Sequence, residues 1–385
     1  MSNHSKIFLF SFTRMTMAIL PVIVPFFQSL GLSMAQVFQL QAIFGIGILL
    51  LEIPTGYVAD LFGRKKALIL GAFFAGVGFT YLIFIHSFVE LIIYELILSL
   101  AFSFISGSDI SLIYDSYRSD ERQLAARGLA NLQMAMVLGE ASSSILGGFL
   151  VMWSFKYVLW ATAITMWLPF FISLTLKETQ TEVMNRHTHW QNFKEMFIYV
   201  FRSGDDVLRL TFINMVLWSL ATYFSVWIYQ KYWEVQGVEL RYFGILWAIH
   251  SLLVGVIGKF IHSWEQKLGA TTLLWCLAVC AFLGYFGMGI ASGFIGVAFA
   301  LFFPVIRGIT QVLLRDALNW RIPAKFRSTV NSAQSFCFRL GFALFGPLVG
   351  YGLDHGGMRT TLVVLGLVFG VLAILVLRPL IKKVP

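Results

Sequence analysis

The stretch Glu52-Ile-Pro-Thr-Gly-Tyr-Val-Ala-Asp60-Leu-Phe-Gly-Arg-Lys-Lys66 decides the reading of this chain. An apolar run enters it (residues 37–58) and another leaves it (67–85). Each is near the roughly 20 residues that a helix needs to cross a bilayer. A polar elbow between two membrane-length segments belongs at the water boundary. Three consecutive cations, Arg64, Lys65 and Lys66, put it on the cytoplasmic side, where loop cations accumulate. Gly56, Asp60, Gly63 and Arg64 give the elbow the expected form of a tight basic turn carrying one fixed carboxylate.

Composition agrees. The 385 residues are 58% hydrophobic and 12% charged, with mean hydropathy +0.80. A soluble domain carries about 25% charged residues, so this chain cannot cover a water-facing surface and its solvent is lipid. The formal net charge of +9 reads as loop cations facing anionic headgroups. A nucleic-acid partner would need a basic face on a soluble domain, and none is expected. Cys276, Cys280 and Cys337 lie in apolar runs and read as small packing residues, with no metal expected. The first apolar run is too long for a cleaved leader, carries Arg14 and lacks a small-residue cleavage site. It is expected to stay as a span. Short loops throughout point to a prokaryotic inner-membrane protein with no appended soluble domain.

Twelve runs have membrane length: 7–29, 37–58, 67–85, 90–113, 128–151, 157–176, 208–230, 242–261, 270–289, 291–314, 328–351 and 360–380. The loops after even-numbered spans hold most cations, including Arg118, Arg122, Arg127, Lys177, Lys267, Arg321, Lys325, Lys382 and Lys383. That alternation is satisfied with both termini cytoplasmic. The longest polar segment gives three expected parts: a six-helix bundle over 1–176, a cytoplasmic linker over 177–207 and a second six-helix bundle over 208–385. Within the linker, Trp190 to Phe201 has the spacing of a surface helix, and His187 and His189 read as hydrated loop residues. The halves resemble weak repeats. Asp115 ends span four, Arg127 opens span five, and Gly139, Gly147 and Gly148 run along span five. About two hundred residues on, Asp316 ends span ten, Arg327 precedes span eleven, and Gly346, Pro347 and Gly350 run along it.

The elbow resembles the signature loop between the second and third spans of the major facilitator superfamily: a Gly, an Asp four residues on, then Gly-Arg-Arg/Lys. Gly56, Asp60, Gly63, Arg64 and Lys65 match it, with Leu61 where an Arg is usual. The order and spacing of spans extend the resemblance over the whole chain. It implies an all-α membrane protein with twelve transmembrane helices in two pseudo-symmetric six-helix bundles. It also implies a conformational latch. In the superfamily this loop's Asp and Arg hold the halves together when the cavity faces outward. Asp60 would contact the start of span eleven, whose dipole favours an anion. Gly56, Gly63, Arg64, Asp115, Arg127, Asp316 and Arg327 would complete the latch. The plain alternative is topogenic charge.

A charge inside a span costs about 3 kcal/mol or more and marks function by default. Arg14 in span one, Glu52 in span two, Asp109 in span four and Glu140 in span five are the candidates for proton coupling and for the cavity. Asp109 and Glu140 are expected to carry protons, with Arg14 as ion-pair partner of one of them. The alternative is a static pair that fixes helix packing. Glu95, near the outer end of span four, is expected to snorkel to water. In the second half, Asn214, Trp218 and Tyr223 on span seven, His250 on span eight, Arg307 on span ten and Arg339 on span eleven are candidates for a substrate cavity. Trp227 adds to the rings of span seven, which suit an apolar or cationic molecule, whereas Trp233 fits an interfacial belt.

The drug/proton antiporters of the superfamily carry an Arg in span four where this chain has Ser103, and a Gly-Pro in span five where it has Ser143 and Ser144. Glu52-Ile-Pro-Thr-Gly and Tyr114-Asp115-Ser116 look like a bacterial branch often labelled as efflux proteins. The function expected is secondary active export of a small amphipathic molecule by alternating access. It would be antiport with protons as the coupling ion, without a cofactor, by a monomer in the lipid bilayer. Nutrient uptake by symport or uniport is the alternative. A polytopic membrane enzyme would need a nucleophile, base or metal group at the membrane face, and a receptor would have no use for so many buried charges. The chain is therefore not expected to be an enzyme.

Overall fold

In a computed structural model of the chain, residues 3–108, 112, 122–178, 200, 205–323 and 327–383 are described. All regular structure among them is helical. In lipid every backbone N–H and C=O must be satisfied within its own segment, and a helix does this. The chain runs through α1 (Asn3–Thr13), α2 (Ile23–Ser29), α3 (Met34–Phe62), α4 (Arg64–Tyr81) and α5 (Phe88–Ile105). It continues through α6 (Arg122–Leu150), α7 (Phe155–Leu174), α8 (Asp206–Val235), α9 (Leu240–Leu268) and α10 (Ala270–Ile290). It ends with α11 (Gly293–Phe299), α12 (Phe302–Ile309), α13 (Arg315–Trp320), α14 (Arg327–His355), α15 (Gly357–Leu372) and α16 (Arg378–Ile381). Five-residue π turns, Thr310–Leu314 and Ala373–Leu377, join α12 to α13 and α15 to α16. Ten helices among the described residues are long and apolar enough to cross a membrane. The first and fifth expected spans, Asn3 to Ser29 and Arg122–Leu150, make up the twelve.

The described chain forms two compact units. Unit one is Met1–Leu32, Gln39–Met184 and Val238–Leu252; unit two is Ser33–Phe38, Asn185–Gly237 and Leu253–Pro385.

In unit one the first span is not the continuous helix that its apolar run implied. It breaks after Thr13, at Arg14, and resumes at Leu20–Val22. The hydroxyls of Thr13 and Thr16 donate back to the carbonyls of Leu9 and Thr13 at 2.8 and 2.6 Å, which loosens the helical ladder. Freed backbone groups find partners on neighbouring helices. Thr162 Oγ1 accepts from Ile19 N at 2.9 Å, and Thr165 Oγ1 donates to Thr16 O at 2.8 Å. A face of α6 makes room: a Cβ on Gly139 would run into the Phe12 carbonyl, and one on Gly147 into that of Ala18. Small residues thus let irregular backbone pack against a helix within the protein.

The elbow is tighter than expected. Helix α3 continues through Gly56 and Asp60 to Phe62, and a single residue, Gly63, turns the chain into α4. Gly63 has φ +99° and ψ 154°, a region essentially restricted to glycine. Both oxygens of Glu178 accept from Lys65 N at 3.2 Å, placing a carboxylate at the positive end of α4.

In unit two, Asp354 at the end of α14 caps the first turn of α3. Its Oδ1 accepts from Met34 N at 2.9 Å and its Oδ2 from Ala35 N at 2.8 Å. Gly350 permits the approach, since its Cβ would sit 2.7 Å from Ala35 Cα. Phe38 stacks on Phe342 with centroids 5.7 Å apart.

Candidate functional site

The site in unit one is set by a close crossing of α6 and α9. A Cβ on Gly148 would lie 2.7 Å from the Arg241 carbonyl and 3.0 Å from Gly244 Cα, so glycine is required for the helices to meet. The residue numbers run in opposite senses along the crossing. Gly148 meets Gly244, and two turns away Glu140 meets Trp247 and Ser251. Trp247 Nε1 and Ser251 Oγ both donate to Glu140 Oε1 at 2.8 Å. Glu140 is half-buried, and among the described residues no cation lies within ion-pair distance of it. Its partners are neutral donors rather than Arg14. The buried His250 turns Nδ1 to within 2.8 Å of the Leu246 carbonyl, so it lies in unit one beside Trp247 and Ser251.

Arg14 is half-buried where the first span breaks, with Nη2 2.8 Å from Met136 Sδ. Met136 is one turn before Glu140 on α6. Glu52 is half-buried on α3 near Pro54, and Thr55 Oγ1 donates to the Leu51 carbonyl at 2.8 Å. Asp109 and Asp115 lie outside the described residues, as do His187 and His189. Among the described residues no cluster of three or more His, Cys, Asp or Glu could hold a metal.

Of the latch residues, Gly56 is exposed on α3 with open space around it, Gly63 makes the turn and Arg64 opens α4, half-buried. The positions of Asp60, Arg127 and Arg327 are on α3, α6 and α14, and their side chains lie outside the described part. Asp316, on α13, has Oδ2 3.2 Å from His262 Nε2.

In unit two, Tyr223 on α8 is the centre of a ring group. Its centroid is 4.6 Å from Phe342, 5.2 Å from Phe338 and 6.3 Å from Trp227, each near edge-on. The indole N–H of Trp227 is buried and has no partner among the described residues. Arg339 on α14 is half-buried, its Nε 3.3 Å from Ser335 Oγ, and Arg307 on α12 is exposed. Asn214 and Trp218 are fully buried instead. Trp218 Nε1 donates to Asn214 Oδ1 at 3.0 Å, and Asn214 Nδ2 donates to the carbonyls of Leu210 and Val376. Their polar atoms are engaged in holding α8 within its unit. Trp233 is also fully buried, stacked on Tyr229 at 5.8 Å, and is not part of an interfacial belt.

Trp247, Ser251 and Gly244 were not singled out from the sequence. Their spacing of three and four residues puts them on one face of α9, but Trp and Ser in a span also serve ordinary packing, and nothing marks the partner helix.

Among the described residues, helical spans with carboxylate and ring groups buried inside them make a polytopic membrane protein. The family model of the Major Facilitator Superfamily matches residues 7–343, and the chain belongs to that superfamily. An uncharacterized MFS-type transporter of Bacillus subtilis (strain 168), YxaM, is 22% identical over 369 residues, covering 90% of this chain and 86% of that protein. A mutant of the nucleoside transporter NupG has a similar structure, with a TM-score of 0.80, 12% identity and 99% of both chains covered. So has a D-xylose-proton symporter, with a TM-score of 0.72, 17% identity, and 99% of this chain and 97% of that one covered. At these identities the structures establish the fold alone, and the expected twelve-helix major facilitator architecture stands.

Proposed function

We propose that this transporter exports a small amphipathic molecule by alternating access, in exchange for protons, with Glu140 as the proton carrier. The observation that carries the reading is the pair of neutral donors on Glu140: Trp247 and Ser251, each at 2.8 Å, with no cation in reach among the described residues. An intramembrane carboxylate is costly to keep and marks function. Held by neutral donors, it gains or loses a proton without breaking an ion pair. Arg14 and Met136, next along the α6 face, belong to the same site, and Asp109 is a second carrier in this reading. The rings of Tyr223, Trp227, Phe338 and Phe342 offer faces for an apolar or cationic substrate, and the buried Trp227 N–H offers it a donor. Arg307 and Arg339 would contact its polar end. In this reading the protein is a monomer of a bacterial inner membrane with both termini in the cytoplasm, as its loop cations favour. Proton-coupled uptake is the second reading, favoured by the D-xylose-proton symporter among the structural neighbours.

The test is proton flux in proteoliposomes challenged with a panel of lipophilic cations, antibiotics and metal-chelating natural products, for wild type and Glu140→Gln. Substrate-evoked proton movement in the wild type, lost in the variant, supports the reading, and the direction of that movement relative to substrate separates export from uptake. Substrate transport without proton movement, unchanged in Glu140→Gln, overturns it.

A further inference from the structure

Glu95 is a further carboxyl inside the membrane, and the site above does not use it. It does not snorkel to water: it is 2% exposed, and its partner Gln41 is 4% exposed. Gln41 Nε2, on α3, donates to Glu95 Oε1, on α5, at 2.9 Å. The surrounding contact is close. A Cβ on Gly47 would run into the Ser99 hydroxyl, that hydroxyl donates across to the Phe44 carbonyl at 2.9 Å, and the Phe44 ring meets Phe102 edge-on at 5.8 Å. Both polar residues lie two helical turns inside the ends of their helices, Met34 and Phe88.

The titratable and charged groups on the elements packed around Glu95 are few. On its own helix are Tyr94, covered by the Phe79 ring, and Glu90, which accepts from the backbone N–H of His86 and Ser87. His86 itself precedes the helix. On α3 the nearest is Glu52, about three turns away, and α4 carries Arg64, Lys65 and Lys66 at its start and Tyr81 at its end. Among the described residues no cation reaches Glu95, and a neutral amide is the one side chain bonded to its carboxyl. An ionised carboxylate there would have neither water nor a counter-charge, whereas a carboxyl that keeps its proton fits beside an amide.

We propose that Glu95, covered by Gln41, is a further proton-binding site of the transport cycle, beside Glu140 and Asp109. When the Gln41 amide gives way, the Glu95 O–H bond breaks, its proton passes to bulk water, and water donors replace the amide on the carboxylate left behind. When the amide returns, the carboxylate takes a proton from water and the pair reforms. The inference rests on the proton-coupled reading above. A packing role alone would be served equally well by glutamine at this position, which keeps the shape and the hydrogen bond and holds no exchangeable proton.

Infrared difference spectroscopy of wild type against Glu95→Gln in lipid nanodiscs tests the protonation. A protonated-carboxyl C=O stretch at neutral pH, absent from Glu95→Gln and weakened in Gln41→Ala, is expected. Its absence from the wild type overturns the inference. The same proteins are then tested with whichever panel compound evokes proton flux. Glu95→Gln should lose at least tenfold in proton flux while keeping substrate exchange across a membrane with no gradient. Proton flux equal to wild type overturns the inference and leaves a packing pair, even if the infrared band is present. A wild type that moves no protons with any transported compound overturns the proton-coupled reading itself, and this inference with it. A Glu140→Gln loss with Glu95→Gln unaffected sinks only the Glu95 site.

Discussion

Replacing Gly148 by Ala tests whether the α6–α9 crossing positions the Glu140 site. The new Cβ would lie 2.7 Å from the Arg241 carbonyl oxygen and 3.0 Å from both Cα and N of Gly244, all of it backbone. No side chain can swing away, so the helices must part. Ordinary van der Waals contact begins at 3.4 Å, which asks for a shift of ~0.7 Å. Carried along α9 as a rigid element, that shift takes the two 2.8 Å bonds to Glu140 to ~3.5 Å, the outer limit of a hydrogen bond. A hydrogen bond to a charged group is worth about 1.5–3 kcal/mol, so losing one costs about tenfold or more in whatever step uses it. Overpacking adds ~1–3 kcal/mol of destabilisation, against the ~1 kcal/mol by which Ala outranks Gly in a helix. The sign of the result is therefore informative. Gly148→Ala should lower both the thermal midpoint in detergent and the coupled proton flux. Gly56→Ala, with nothing within 4 Å of its Cβ, should hold or raise the midpoint. Because membrane proteins of this size commonly unfold irreversibly, both variants belong at one heating rate. If Gly148→Ala matched Gly56→Ala in midpoint and the wild type in flux, the crossing would not be what positions Trp247 and Ser251.

Removing the donors directly gives the complementary result. Trp247→Phe and Ser251→Ala should each lower coupled flux by about an order of magnitude, and the double variant by less than the product, because both bond the same oxygen. Gly63→Ala should cost ~1–3 kcal/mol, since it forces φ +99° on an L residue and drives a Cβ into the Glu178 carboxylate. Adding Glu178→Ala relieves only the contact, so the double variant's midpoint should stay below that of Glu178→Ala alone. Asp354→Ala removes both acceptors from the first turn of α3 and should cost ~0.5–2 kcal/mol in thermal stability. Asp354→Asn keeps one acceptor oxygen and should fall between it and the wild type.

The fold was legible because its signals are local. Span length, alternating loop cations and the Gly63-Arg64-Lys65 turn are each read within a few residues, and lipid leaves a chain of this composition little choice but helices. The break at Arg14 was not legible. Residues 7–29 form one apolar run, and the features that permit the break are the partners Thr162 and Thr165 on α7 and the small residues Gly139 and Gly147 on α6, more than a hundred residues away. Periodicity carries no information about such partners. Asn214 and Trp218 show the converse. Polar and aromatic residues in a span look like cavity lining, yet at four-residue spacing they bond each other on one helix face and take up the Val376 carbonyl besides.

Among the described intramembrane carboxylates, Glu140 and Glu95 have partners that charge alone could not supply. Sequence reasoning looks for opposite charges, and so joined Arg14 to Asp109 or Glu140, and it sent Glu95 to water. The structure gives Glu140 an indole and a hydroxyl and gives Glu95 an amide. Neutral partners suit a carboxyl that changes its protonation state, for a physical reason. A buried ion pair is expensive to open, because parting it leaves two uncompensated charges in a low dielectric. A carboxyl beside neutral donors can change protonation state while its partners only reorient or give way to water. A transporter that must load and empty its carrier in every cycle gains from partners of the second kind. Trp, Ser and Gln are the residues that sequence inspection sets aside as packing, and for that reason the partners of Glu140 and Glu95 could be found only by following the hydrogen bonds.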